Sequence, residues 1–466
     1  MAALALPFLL TFPTAFHRQW AVHVALVAAV GALVFWGGLA FPEGESGRWF
    51  LASTVALAGF VALFQAVFGL VPTDKSLALL PEGTQATALA RLATGRAFGT
   101  LPLPGQFAAL QALVVPILAS WLLRARGWRR LLPGSLLLVS FLGTLATRSL
   151  VGSVLWVVAL LLSVTVRVAG IPKAFWWAAG IGLVLLPLLL HREDLVRLEP
   201  LALRWVNWQV AWFGFRHNPW LGVGPGGLGL ASLTSPWAEQ NITPFAHNTP
   251  LQLLAEFGLL GLPLLTLGLF WLVRLVVVCW REDRPVALSI LVGLAHNLVD
   301  FSFYEPGFLY PFLLLTAWGA CQAGRVRRHQ FSPWPVLFLA APTLLVAASE
   351  VRCQSLALAF RLAEDTHERI RGLLSAAAWA PWRLGEVIEA GTLAWQQGTI
   401  QEREQVLTML SRRQWVAPRS ASAAYTKALL LLAQGRRAEA WAWAQEASNL
   451  APSRREFKEL ERRCRP

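Results

Sequence analysis

The sequence predicts an all-α protein: a polytopic membrane helical bundle of about 10–12 transmembrane helices, followed by a C-terminal helical-repeat domain. The chain of 466 residues is 56% hydrophobic and only 14% charged, with a mean hydropathy of +0.52, whereas soluble domains carry about 25% charged residues. Apolar blocks as long as a bilayer is thick recur through the first 350 positions. Beyond them charged residues become frequent and alanine-rich helices follow one another.

The predicted spans follow these apolar blocks in chain order. They lie at 20–41, 48–70, 105–123, 131–147, 150–166, 174–190, 250–273, 285–301, 307–322 and 332–349. A shorter block at 2–16 is interrupted by Pro7 and Pro13 and would be an additional span.

Short loops rich in arginine predict the orientation, because such loops stay in the cytoplasm. The loops in question are RARGWRR (124–130), the turn at 167–173, REDR (281–284) and RVRRH (325–329). The long segments 71–104 and 191–246, and the chain after residue 350, then lie on the outer side. The loop at 42–47 has no basic residue, so it gives no orientation signal of its own.

The spans and their orientation predict two domains: a transmembrane domain over 1–349, which includes the outer loops, and an extracytoplasmic domain over 350–466. In the second domain Ala440, Ala447 and Pro452 have the spacing of the second helix of a tetratricopeptide repeat. Ala-Pro pairs at Pro381, Pro418 and Pro452 close successive helices. We predict two to three degenerate repeats that bind a partner or a polymer; a plain helical cap is the alternative.

The net charge of +14 does not indicate nucleic-acid binding, because the basic residues lie in short loops and in the C-terminal domain. Cys279 and Cys321 fall in or beside apolar runs and are expected to pack there, whereas Cys353 and Cys464 could pair if both lie outside the cell. The four cysteines show no metal-ligand spacing, and no carboxylates cluster as a divalent cation would require. The sequence therefore predicts neither a metal nor a cofactor.

Polar and ionisable groups inside or beside apolar spans are costly, and each is a candidate functional residue. Arg148 stands between two spans with almost no loop around it; snorkelling to the interface is the structural alternative. Arg204, Trp208 and Trp212 recur every four residues, which predicts an interfacial helix with an aromatic face. The loop NPWLGVGPGG (218–227) that follows lacks a phosphate-binding context and is expected to be structural.

A polar stripe begins the next apolar run. Asn248, Gln252 and Glu256 step by four residues along one helical face, and for the last two a helix–helix hydrogen-bond seam is the favoured interpretation. His247 stands at the water edge, where an imidazole can accept a proton from a hydroxyl. The stretch HNLVDFSFYEP (296–306) repeats the His-Asn pair, with His296 and Asp300 on one face as a hydrogen bond or a cavity wall.

Arg148, Arg204 and His247 are thus predicted to meet on one side of the membrane. Two guanidinium groups bind a diphosphate through charge-assisted, fork-shaped hydrogen bonds. A neutral histidine beside them could activate an acceptor hydroxyl. A sugar carried on a lipid diphosphate is the substrate that needs both, because its leaving group must be stabilised as the glycosidic bond breaks.

The ordered series ATRS (146–149), RWVNW (204–208), NPWLGVGPGG (218–227) and HNTPLQLLAEFGLLG (247–261) resembles the O-antigen ligase and polymerase superfamily. The stretches AFGTLPLPGQFAAL (97–110) and HNLVDFSFYEP (296–306) extend the resemblance, the second toward members with C-terminal tetratricopeptide repeats. It covers roughly residues 90 to 310 and the appended repeats. Arg148 is followed by serine where the family frequently has glycine.

The resemblance implies a metal-independent, inverting glycosyltransferase of the integral-membrane class, which transfers a glycan from undecaprenyl diphosphate to an acceptor sugar at the outer face of the bacterial inner membrane. By resemblance, Arg148 and Arg204 hold the diphosphate and His247 activates the acceptor. Further donor or acceptor contacts could come from five other residues: Arg216, His217, Asn248, His296 and Asp300.

Three functions remain open at this point. A polysaccharide polymerase is favoured, because a repeat domain suits chain handling or contact with a chain-length regulator or assembly protein. A ligase would transfer the finished glycan to lipid A-core or to protein. A lipid-linked oligosaccharide transporter is the third, although the unusual charges cluster at one face and no half-to-half symmetry is evident.

Overall fold

The computed structural model describes residues 18–40, 45–69, 89, 92–165, 199–322 and 334–465, and within them it contains helices and no strands. Helices of the N-terminal part, in chain order, are α1 Arg18–Ala40, α2 Glu45–Leu57, α3 Gly59–Phe68, α4 Pro104–Arg124, α5 Leu131–Ala146, α6 Leu150–Thr165, α7 Glu199–His217, α8 Leu228–Leu233, α9 Thr249–Phe257, α10 Gly261–Glu282, α11 Arg284–Asn297 and α12 Pro306–Gln322. The C-terminal part continues with α13 Trp334–Arg361, α14 Thr366–Trp379, α15 Gly385–Gln397, α16 Ile400–Arg412, α17 Ala421–Ala433, α18 Arg437–Leu450 and α19 Arg455–Cys464.

Five helices among the described residues are long and apolar enough to cross a membrane, or six if one bent pair counts as a single span. This fits a multi-pass membrane protein. The other predicted spans at 150–166, 285–301 and 307–322 are the shorter helices α6, α11 and α12. The predicted span at 174–190 lies outside the described residues.

α4 is the central helix of the bundle. It packs against α2, α5, α6, α11 and α12, and an unbroken stretch from Gln106 to Ser120 is buried. A helix surrounded by other helices is apolar on all faces, which is why this segment shows no amphipathic pattern.

Ion pairs tie together one end of the bundle. Arg48 near the start of α2 pairs with Asp283 between α10 and α11, and Arg124 at the end of α4 pairs with Glu45. Glu45, the first residue of α2, therefore lies at the same end as the arginine-rich loops 124–130 and 281–284. A buried charge needs its partner, so Arg48 and Asp283 fix the register of α2 against α11.

The predicted span at 250–273 is a bent pair of helices that together are apolar enough to cross a membrane. The chain forms α9, then one 3-10 turn, then α10, and the axes of Thr249–Pro263 and Leu265–Glu282 differ by 76°. Gly258 sits at the break with φ +59. A side chain there would lie 2.6 Å from the Pro219 and Trp220 carbonyl oxygens, so the loop at 218–227 packs closely against the end of α9.

That loop is structural, as its composition predicted. Val223 and Gly224 donate their amide hydrogens to the carbonyls of Ala255 and Glu256 at 2.9 Å each, and so satisfy the last turn of α9. A Cβ at Gly222, where φ is +68, would lie 2.4 Å from the Glu256 backbone. Glycine is therefore required both for the left-handed conformation and for the close approach.

Gly222→Ala should destabilise the protein more than a left-handed alanine alone does. We expect Gly435→Ala to cost about 1–2 kcal/mol, because its φ is +76 but nothing lies within 4 Å of the added methyl group. Gly222→Ala adds a clash with backbone and should lower the thermal unfolding midpoint further. Equal unfolding midpoints for the two variants in the same detergent would contradict the close approach of Gly222 to the Glu256 backbone.

The C-terminal helices form a second core, in which each helix from α13 to α19 packs against the next. Ala440 and Ala447 are completely buried, in agreement with small residues at a helix–helix contact. The tetratricopeptide assignment itself stays a prediction. The predicted boundary at 349/350 falls inside α13, which continues from its apolar first half into the second core through Cys353 and Ala357.

The C-terminal domain contains two buried cysteines and makes one contact with the long segment before His247. Cys353 and Cys464 are both buried in its core, yet both are free, so the suggested disulfide is not formed. Leu233 of α8 packs into the cluster formed by Ala421, Ala447 and Phe457. The helical domain therefore rests on the long segment that carries α7, α8 and His247.

Candidate functional site

The two His-Asn pairs of the sequence come together at the end of the bundle opposite the Arg48–Asp283 pair. Thr249, the first residue of α9, donates its hydroxyl hydrogen to Asn297 Oδ1 at 2.9 Å and to the Asp300 carbonyl at 3.2 Å. Asn248 caps α9 by accepting from the Leu251 amide and donates to the Leu298 carbonyl, both at 2.8 Å. These bonds fix the loop before α9 against the loop after α11.

Asp300 lies between two imidazoles. Its Oδ1 is 3.7 Å from His247 Nδ1, and its Oδ2 is 3.7 Å from His296 Nε2. The Phe301 amide donates to Oδ1 at 2.7 Å and orients the carboxylate. His296 is 1% exposed and its Nδ1 lies 3.1 Å from the Ser302 hydroxyl. His296 and Asp300 are therefore both buried beside His247, and their role as contacts to a donor or acceptor stays a prediction.

His247 is the exposed member of the group. Its side chain is 29% exposed, but Nδ1 is buried and has no hydrogen-bond partner. The open edge of the ring is consequently the edge that carries Nε2. The ring of Phe301 meets the imidazole edge-to-face at a centroid distance of 4.7 Å, and Phe245 stacks on Phe301 at 3.9 Å. The imidazole is thus held from one side and open on the other.

Backbone strain marks two of the predicted site residues. Among the described residues, Arg148 with φ +50 and His247 with φ +52 are the two non-glycine residues in the left-handed region. That conformation costs a non-glycine residue of order 1–3 kcal/mol unless the surroundings impose it, and it concentrates at functional sites. Both residues therefore have their side-chain direction imposed by the surrounding fold.

Arg148 lies at the same end of the bundle as His247. Asp300 Oδ2 and Ser149 Oγ stand 3.2 Å and 3.8 Å from the point that a Cβ on Gly105 would occupy. The Arg148 turn and the Asp300 loop therefore both lie close to Gly105, at the start of α4. The Arg148 side chain is exposed, and the Arg96 guanidinium donates to the neighbouring Thr147 carbonyl at 3.1 Å.

Arg204 approaches the group from α7. Its charge acts on His247, His296 and Asp300, yet it forms no ion pair or hydrogen bond with any residue that the structure describes. α7 is held in place by packing on α9 and by a 2.7 Å hydrogen bond between Asn241 and Asn207. The predicted helix is present, but its most exposed indoles are Trp205 and Trp212 rather than Trp208.

The polar stripe on α9 supports the His247 loop. Gln252 accepts from the Ala246 amide at 2.6 Å and donates to Glu256 Oε1 at 2.6 Å. Glu256 Oε2 accepts from the Tyr304 hydroxyl at 2.8 Å. The seam expected for these two side chains is therefore present, and it ties His247's own loop to α9 and to the segment after Asp300.

Arg216 and His217 are not brought to this group. They lie at the other end of α7 from Arg204, about 18 Å along the axis for a separation of twelve residues. Arg216 is exposed, and the His217 ring packs on Phe213 at 4.3 Å. Asn248 is at the site, where its amide caps α9 and donates to the Leu298 carbonyl; its contact to a donor or acceptor stays a prediction.

Gly105 and Phe301 also belong to the site but were not among the residues predicted from the sequence. Gly105 matters because its lack of a side chain lets Asp300 Oδ2 and Ser149 Oγ come close to it. Phe301 matters because its ring packs edge-to-face against the His247 ring. The other candidates were predicted because a polar side chain in apolar surroundings is energetically costly. Neither Gly105 nor Phe301 has a polar side chain, so this criterion does not apply to them. Only the packing of distant segments identifies such residues.

Electrostatics favour a neutral His247. Burial lowers its pKa from the ordinary value, and the cationic Arg204 acts in the same direction, while Asp300 opposes both. With Asp300 facing Nδ1, the favoured neutral tautomer carries its hydrogen there and leaves Nε2 as a proton acceptor. Within the described residues no group of three His, Cys, Asp or Glu side chains could hold a metal ion.

The site therefore places a proton acceptor near the Arg204 guanidinium, which forms no ion pair or hydrogen bond within the described part of the chain, and the Arg148 turn lies at the same end of the bundle. Such an arrangement can bind an anion and deprotonate a neighbouring hydroxyl. Comparison with known proteins adds no assignment, because no family model and no curated protein matches the chain.

Proposed function

We propose that the protein is a bacterial surface-polysaccharide polymerase. It transfers a glycan from undecaprenyl diphosphate to the hydroxyl of an acceptor sugar, with inversion and without a metal. The observation that carries the proposal is the position of Arg204, a cation without an ion-pair partner among the described residues, close enough to lower the pKa of the partly exposed His247. A diphosphate would supply the anion that Arg204 lacks, and an acceptor hydroxyl would supply the proton for Nε2.

Each group has one role in the proposed step. The acceptor oxygen attacks the anomeric carbon while its proton passes to His247 Nε2. The bond from that carbon to the phosphate oxygen breaks, and Arg148 and Arg204 stabilise the charge that develops on the diphosphate. Asp300 faces Nδ1 at 3.7 Å, too far for a hydrogen bond, and its negative charge would stabilise the imidazolium that forms when Nε2 takes the proton.

The arrangement of charges supports a site on the outer face of the inner membrane. The arginine-rich loops 124–130 and 281–284 lie at the end of the bundle opposite His247, and loops of that kind stay in the cytoplasm. α4 spans the distance, with Gly105 at the site and Arg124 at the basic end. The helical domain, resting on α8, then lies on the outer side, where it can handle the chain or an assembly protein.

A purified-protein assay with a glycan on a lipid diphosphate tests the proposal. Lengthening of the glycan without any added acceptor lipid is the result expected of a polymerase. Transfer only to a lipid A-core acceptor or to protein would make the protein a ligase. If no glycosidic bond forms and lipid-linked glycan instead crosses the bilayer of a proteoliposome, the protein is a transporter and the proposal is wrong.

Chelation should leave the transfer rate unchanged. We expect this because the two guanidinium groups take over the charge stabilisation that a divalent cation would provide. The measurement is the initial rate before and after EDTA treatment, with a metal-dependent glycosyltransferase treated in parallel. A rate that falls with EDTA and returns on adding Mg²⁺ or Mn²⁺ would refute the metal-free mechanism.

A further inference from the structure

A polar cavity lies in the C-terminal helical domain, between α16–α17 and α18. Its volume is about 290 Å³. The lining includes a buried lysine and a tryptophan at its base, with an exposed amide and an exposed carboxylate at the rim: Lys427, Trp443, Gln414 and Glu446. A cavity of this size, apolar at its walls with a few convergent polar groups, is typical of a small-ligand site.

Lys427 is the unusual member of this set. It is 3% exposed, and its ammonium stands over the Trp443 ring at 3.9 Å from the centroid. It forms no hydrogen bond or ion pair with the residues that the structure describes. Burial lowers its pKa from the ordinary value, and a buried ammonium without an acceptor is strongly disfavoured. Its three N–H donors are therefore available to an acceptor that enters the cavity.

The other cation of the cavity is already satisfied. The Arg413 guanidinium donates to the carbonyls of Arg383 at 2.7 Å and Ala377 at 2.5 Å. Arg413 thus holds the α14–α15 connection in place and leaves Lys427 as the cation available to a ligand. The carboxylate of Glu446 at the rim can accept from hydroxyls, and the Gln414 amide can both donate and accept.

We propose that this cavity binds one acidic sugar residue of the glycan. The carboxylate accepts from Lys427, the ring lies in the cavity beside the Trp443 indole, and the sugar hydroxyls meet Gln414 and Glu446 at the rim. The choice of a sugar among carboxylates rests on the proposed function. Leu450 lines the cavity and also packs in the cluster that holds Leu233 of α8, so the cavity adjoins the segment leading to His247.

The test compares methyl glucuronide with methyl glucoside, which differ at the carboxylate. Titration calorimetry on the full-length protein in detergent should show the glucuronide binding at least tenfold more tightly. Lys427→Met, which keeps the side-chain stem, should abolish that preference. Lys458→Met is the matched control, because Lys458 is the domain's other lysine and is exposed; it should leave the preference intact.

The outcomes separate this inference from the transfer reaction, because binding needs no turnover. His247→Asn protein should bind the glucuronide as the wild type does, even if it has no transferase activity. Equal binding of the two glycosides by the wild type would overturn the inference without any variant having to fold. Binding of a short peptide through its C-terminal carboxylate, in place of the glucuronide, would also overturn it.

Discussion

His247→Asn is expected to reduce glycan transfer by about a hundredfold to ten-thousandfold, the range for loss of a general base. Asparagine is the informative replacement, because it tolerates the left-handed backbone that His247 adopts at φ +52. Alanine would remove the base as well, but it would also add backbone strain. Donor binding should persist in His247→Asn, because the guanidinium groups remain. The measurement is the initial transfer rate together with donor affinity.

The pH dependence gives the same residue a second test. Because burial and Arg204 lower the pKa of His247, the imidazole stays neutral to a lower pH than a free histidine would. The wild-type rate should therefore fall at acid pH only below about pH 6.5, the pKa of an ordinary histidine. The residual rate of His247→Asn should not show this fall, which we call the acid limb of the rate. His367→Asn, in the C-terminal domain, is the matched control. Full turnover by a folded His247→Asn protein would remove His247 from the mechanism.

The chain's apolar periodicity was enough to predict most helices, since their positions depend on local composition. The break at Gly258 could not be predicted, because the apolar run continues through it and the cause is a loop some forty residues earlier. The Pro219 and Trp220 carbonyls occupy the space of a side chain at Gly258. The continuity of α13 across the predicted boundary has a similar origin, because Cys353 and Ala357 are buried by helices that follow them.

The site was predictable to the extent that its residues are polar in apolar surroundings. Asp300 and His247 were found in this way, and the repeated His-Asn pair suggested that two segments were related. The difference in exposure among these residues was not predictable. His296 and Asp300 are polar in apolar surroundings, as His247 is, but they are buried, and only the left-handed backbone distinguishes Arg148 from a snorkelling arginine.

Arg204→Lys is expected to weaken donor binding by about tenfold to a hundredfold, although it keeps the positive charge. The reason is geometric: a guanidinium offers a planar fork of donors to a diphosphate, whereas an ammonium acts as a point charge. A charge-assisted hydrogen bond contributes about 1.5–3 kcal/mol, so the loss of one branch of the fork gives an effect of this size. The donor concentration that gives half-maximal rate measures it.

Charge and geometry can be separated with a second variant, Arg204→Met. Removing the cation takes away an influence that lowers the pKa of His247, so the acid limb of the rate should move to higher pH. Arg204→Lys keeps the cation and should leave the limb where it is in the wild type. Arg129→Lys, an exposed arginine at the opposite end of the bundle, controls for the substitution itself. Wild-type donor affinity in Arg204→Lys would show that the fork does not hold the diphosphate. An unmoved acid limb in Arg204→Met would show that this cation does not set the ionisation of His247.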